Sequence, residues 1–209
     1  MAISSTNTLQ TMAVYFANSN LGDETMVTVI MGTTVLPVIL IAPFLPALIK
    51  KFGKRKITVV SSIATMILCV VQYYAGYDSL VLFLAIASVR VVFMQLPLLI
   101  YGMFTADCIE YGAYINGERT EGIAFSVQTL VTKLSGAICG TLCLQLLYAF
   151  GYVEQAVVQS NGTLQGIWII MNLVPIIGYG IMVIVMAFYK LDEEEVEKII
   201  KVNGAQRTL

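Results

Sequence analysis

Lys133 lies near the middle of a stretch that is otherwise long and apolar enough to cross a bilayer, 122–150, reading GIAFSVQTLVTKLSGAICGTLCLQLLYAF. An ammonium at that depth costs about 2.5–3.5 kcal/mol on insertion scales. A chain keeps such a residue where something anionic, or water, meets it. Lys133 is eleven residues past Gly122, about 16 Å at the helical rise, so reaching the nearer headgroups by snorkelling is strained. Ser126, Thr129, Lys133, Gly136 and Gly140 recur at spacings of three and four, with Gln128 and Thr132 flanking them. Such a face packs against protein or water, and its glycines admit a close helix.

The rest of the chain has the same character. Of its 209 residues 58% are hydrophobic and only 12% charged, well below the roughly 25% of soluble domains. The charges gather in short blocks between apolar runs, and the runs are continuous rather than alternating. An all-α membrane protein is expected, and a β-barrel is not.

Six helices are expected. Met1 to Leu21 is marginal as a span. Its Asn7, Thr11 and Asn18 share a face with Tyr15 beside them, which suits a helix lining a cavity. A surface amphipathic helix is the alternative, but the polar face has no Lys or Arg to meet headgroups. Val27 to Ile49 follows, with kinks expected at Pro37, Pro43 and Pro46. The next spans are Ile57 to Gly76, Leu80 to Thr105, Gly122 to Phe150 and Gly166 to Tyr189.

Residues 50–56, KKFGKRK, put five positive charges in seven positions between two spans. The positive-inside rule places this loop in the cytoplasm, and alternation then places both termini there. Nucleic-acid binding is a poor reading of a basic patch held between membrane helices. The bundle covers 1–190. Residues 191–209 form a cytoplasmic amphipathic helix and tail, with Asp192 and Glu195 at capping-box spacing and Val196, Ile199 and Ile200 on one face. The polar helices one and four hold corresponding places in two sets of three, consistent with an inverted three-plus-three repeat.

None of the thirteen acidic residues falls at mid-membrane. Lys133 and Arg90, both near mid-span, therefore lack an acid of their own. Carboxylates from another subunit, another stretch of polypeptide or a ligand are expected to meet them. At the cytoplasmic side Asp107 and Glu110 are three apart on one helix face, with Arg119, Lys54 and Arg55 on the same side. Such charges can form a gate that breaks as a cavity opens inward; a solvated helix end is the plainer alternative. The four cysteines lack metal-ligand spacing and read as packing residues, and no cofactor or metal is expected. With no histidine and no intramembrane acid, membrane-enzyme chemistry is not expected either.

The run Ala106-Asp107-Cys108-Ile109-Glu110-Tyr111-Gly112, then 117–122 (GERTEG), then 125–129 (FSVQT) and Lys133, resembles the signature of the glycoside–pentoside–hexuronide:cation symporter family of the major facilitator superfamily. Residues 51–54 and 189–192 resemble that family's loop between helices eight and nine and its last-helix exit. The resemblance covers nearly the whole chain, as helices seven to twelve of a twelve-helix protein. It implies a sugar or glycoside carried inward with Na⁺, H⁺ or Li⁺ by alternating access in the cell membrane, with the cation-site carboxylates in an N-terminal six-helix half. Lys133 would stand beside those carboxylates, Gln128 and Thr129 near the central site, and Asp107, Glu110 and Arg119 in a cytoplasmic charge network. A tryptophan that one well-known member uses near its sugar aligns with about Leu98, so a galactoside-stacking platform is not expected. Such a half is not expected to transport alone. A six-helix self-assembling carrier or channel is the alternative.

Overall fold

The computed structural model describes residues 2–207, apart from 155, 157 and 192 and the side chains of 2 and 204–207. Among the described residues the chain is helical with short connections: α1 (Ala2–Phe16), α2 (Met26–Ile41), α3 (Leu45–Phe52), α4 (Lys54–Ala75), α5 (Leu80–Asn116), α6 (Glu121–Ala149), α7 (Asn161–Phe188) and α8 (Glu193–Arg207). Five segments are long and apolar enough to cross a membrane: Met26–Phe52, which joins α2 to α3, and α4 to α7. The protein is an all-α membrane protein, as the apolar runs imply.

The marginal first segment is helical throughout, because the π-helical turn Ala17–Leu21 extends α1. At the helical rise those twenty residues are about 30 Å long, the thickness of a hydrocarbon core. They form no surface helix. Thr8, Leu9, Met12, Phe16 and Ala17 are buried, while Asn7 and Thr11 are half-buried beside exposed Gln10 and Asn18. The helix therefore has one face in the core and a polar stripe on the open side.

Pro37 is accommodated inside α2. The real break comes at the short 3₁₀ turn Ala42–Phe44, where Pro43 and Pro46 fall in the first turns of successive segments. There a missing N–H costs nothing. The α5 helix is longer than the sequence suggests. It runs 37 residues to Asn116 and ends only at Gly117, whose φ of +74° suits a residue without a Cβ. The expected polar loop is thus cut to 117–120.

The packing repeats itself. The α1 helix packs on α6 and α7, while α5 packs on α2 and α4; α4 and α7 pack on each other, and α1 meets α5. Exchanging the first three spans for the last three maps this pattern onto itself. Since three is odd, the second set runs opposite to the first, which is an inverted repeat. The α4 face in this centre carries Thr58, Ser61, Ser62 and Thr65, all buried. Ser61, Ser62 and Thr65 donate to carbonyls of their own helix at 2.6–3.1 Å, which leaves three small side chains satisfied for close packing, while the buried Thr58 hydroxyl has no partner among the described residues. Phe16, Tyr77, Phe83 and Trp168 close the end remote from the basic loop, with ring centroids 5.1–6.0 Å apart. The Trp168 indole donates to the Tyr73 carbonyl at 3.3 Å, so its polar edge is satisfied within the bundle.

Candidate functional site

Lys133 is exposed, and among the described residues no carboxylate pairs with it. Its setting explains why. None of residues 121–138 is buried, whereas Cys139, Cys143 and Leu147 in the second half of α6 are. The helix leans into the bundle at one end and stands clear of it at the other. The seam on α1 is tight where it exists: Thr8 Oγ1 lies 2.9 Å from Cys139 Sγ, and that thiol also donates to the Ser4 carbonyl at 2.9 Å. One turn nearer to Lys133, a Cβ on Gly136 would lie 3.2 Å from Asn7 Nδ2. Gly136 thus makes room for the Asn7 amide, on the stripe that carries Lys133 three residues earlier. Thr11 is one turn along α1 from Asn7, on the open side.

Gln128 is half-buried and Thr129 exposed on the free half of α6. The Thr129 hydroxyl donates to the Phe125 carbonyl at 2.9 Å, and Thr132 donates to that of Gln128 at 2.8 Å. Both hydroxyls keep acceptor capacity toward the open side.

Arg90 differs from Lys133. The expectation that both face carboxylates from outside fails for Arg90, which is 1% exposed inside the bundle. Its Nη1 donates to Asn172 Oδ1 at 3.1 Å and lies 3.9 Å from Cys69 Sγ. Asn172 is itself held by donating to the Trp168 carbonyl at 2.9 Å. The α4, α5 and α7 helices meet around this guanidinium. The sequence signal was Asn172, a lone amide in an apolar span.

At the basic end the charges sort into specific pairs. Lys54 pairs with Asp107 by a short contact, and both side chains are largely buried. Arg119 pairs with Glu110 at 2.9 Å and, by a short contact, with Glu121. Arg55 joins neither carboxylate. Its Nε and Nη2 donate to the Met186 and Ala187 carbonyls at 3.1 and 3.2 Å, filling acceptors left open at the end of α7. Tyr189 beside this cluster is half-buried, and burial, with the Asp107 charge adding to it, pushes its phenol up.

Two contributors from α8 are not evident in the sequence. Asn203 donates to the Glu110 carbonyl at 3.0 Å and to its carboxylate at 2.9 Å. The Glu193 carboxylate accepts from the Lys54 backbone N–H. Gly53, with φ of +81°, makes this possible, since a Cβ there would lie 2.7 Å from Glu193 Oε2. Val196 and Ile199 are buried, while Ile200 is exposed, and α8 packs on α5. The amphipathic tail thus docks on the bundle. The expected Asp192 cap lies outside the described residues.

A bundle of membrane-crossing helices, self-similar by an inverted exchange and open along a polar face, defines the class: a helical membrane transporter unit. The chain belongs to the MFS/sugar transport protein family, whose model matches residues 2–193. It is 29% identical to the uncharacterised symporter YjmB of Bacillus subtilis (strain 168) over 205 residues, 96% of this chain and 43% of that protein. It is 28% identical to the isoprimeverose transporter of Lactiplantibacillus pentosus over 88% of this chain and 38% of that protein. The lactose permease of Lactobacillus delbrueckii subsp. bulgaricus is 31% identical over 63% of this chain and 21% of that protein. The chain therefore spans less than half the length of the relatives it matches.

Proposed function

We propose that this chain forms the C-terminal half of a cation-coupled sugar or glycoside symporter working by alternating access. In this reading residues 1–190 are helices seven to twelve, lying in the cell membrane, and 191–209 a cytoplasmic tail, with both termini on the cytoplasmic side. The observation that carries the proposal is the open half of α6: it bears Lys133, Gln128 and Thr129, meets the polar stripe of α1 at Gly136 and Asn7, and has no buried residue over 121–138. An N-terminal six-helix half with membrane-embedded carboxylates would cover that face and give Lys133 its counter-charge. Asn7, Thr11, Gln128 and Thr129 would supply hydrogen bonds to sugar hydroxyls. The coupling cation, Na⁺ or H⁺, would share the carboxylates with Lys133, so that its binding and the lysine's charge are in competition.

The relatives named as isoprimeverose transporter and lactose permease support a sugar as substrate. The test is to co-produce this chain with the N-terminal six helices of such a relative and measure sugar uptake against an imposed Na⁺ or H⁺ gradient. Coupled uptake is expected, and Lys133→Ala should abolish it. Uptake that remains equally coupled in the variant overturns the role given to Lys133. Full activity of the 209-residue chain alone in liposomes would favour a self-assembling carrier instead.

A further inference from the structure

The basic loop has cations that the pairs above leave unused. Among the described residues Lys50 and Lys56 are exposed and have no carboxylate partner, and Arg55 contacts only backbone carbonyls. All three line one groove of about 1080 Å³ between α3, α4 and α5. Much of its wall is apolar, with exposed Val60 on α4 and half-buried Phe93 on α5 among the lining residues. Along α4 it runs from Arg55 to Ser61, six residues, or about 9 Å down the helix axis. Two acids also line its mouth, but the Glu193 carboxylate already accepts the Lys54 N–H. Three cations against Glu193 and Glu194 leave the rim net positive.

Cations beside an apolar wall match a molecule with an anionic head and a hydrocarbon body. We propose that this groove binds one anionic phospholipid from the leaflet at the basic end of the bundle. Lys50, Arg55 and Lys56 would take the phosphate, and the wall around Val60 and Phe93 the first stretch of an acyl chain. A free phosphate would leave the apolar wall unmatched. A zwitterionic lipid would add an ammonium to a rim that is already positive. The site is separate from the face carrying Lys133 and stands whether or not the symporter reading does.

The test is lipid retention by the purified protein in native mass spectrometry, after exchange into nanodiscs of phosphatidylglycerol or phosphatidylethanolamine. Preferential retention of one phosphatidylglycerol is expected. Lys50→Gln with Lys56→Gln should lower it by about fivefold for each lysine removed. Val60→Trp fills the wall without touching a charge, and should lower retention as well. Lys51 does not line the groove and lies over the Phe52 ring, 5.2 Å from its centroid. Lys51→Gln should therefore leave retention unchanged, although it removes the same net charge. Four results overturn the proposal: equal retention of the two lipids; an equal loss with Lys51→Gln; retention of glycerol phosphate as strong as that of the whole lipid; or displacement of the lipid when an N-terminal half is co-produced.

Discussion

Arg90 and Lys133 are both cations in apolar helices, and composition treats them alike. Packing separates them. Arg90 is enclosed by three helices and relies on a neutral amide, while Lys133 stands on an open face. A guanidinium keeps its charge under nearly all conditions, so the Asn172 oxygen is the acceptor that makes Arg90 tolerable. Asn172→Ala should lower the thermal stability of the purified protein by about 1.5–3 kcal/mol, the usual worth of a hydrogen bond to a charged group. Pairing Arg90→Met with Asn172→Leu should recover most of that loss, as apolar replacement of buried polar groups often does. An unchanged melting temperature in Asn172→Ala would refute the assignment. The sequence revealed that both cations lacked acids of their own. It could not reveal which one faces inward, because helix rotation depends on neighbours distant in the chain.

Among the elements, α6 shows how close packing is confined to one end. At its exit Phe150 folds against α7, and a Cβ on Gly166 would lie only 2.3 Å from the Phe150 ring. Gly166→Ala should cost about 1–3 kcal/mol by overpacking, read as a lower unfolding temperature. Gly122→Ala, with open space around it, should not. At the basic end, Lys54 and Asp107 hold α4 to α5. In the co-produced pair of halves proposed above, reversing the charge of Asp107 or Arg119 should slow transport cycling far more than it weakens substrate binding. Combining Asp107→Lys with Lys54→Asp should restore part of the rate. Equal losses of binding and cycling would rule out a gate. The carboxylate pair was legible from its spacing of three. Its partner was not, since the sequence offers three nearby cations and only the fold commits Lys54 to Asp107 and Arg55 to the end of α7.

At the scale of the molecule, the apolar runs announced nearly every helix, and the paired polar helices hinted at the repeat. The exchange symmetry of the packing makes that repeat explicit. The docking of α8 is not legible in the sequence, because a short face of three aliphatic residues suits a membrane surface as well as a bundle. The orientation has its own check. Lysine-directed reagents that cannot cross membranes should label 50–56 from inside the cell and leave that loop untouched from outside; the opposite result would invert the topology.

The length of α5 has a mechanical consequence. About twenty residues suffice to cross the hydrocarbon, so roughly seventeen of its 37 residues, some 26 Å, lie beyond it. A rigid rod of that overhang is a lever. Turning it by about 10° within the bilayer would sweep its tip by some 4 Å, more than the reach of a hydrogen bond. Small rocking at membrane depth would thus arrive at Glu110 and Asn116 amplified, and the contact between Glu110 and Asn203 would be among the first to part. A spin label at Asn116, measured against one on α8, would record that amplification as a change in distance between the two ends of the gradient.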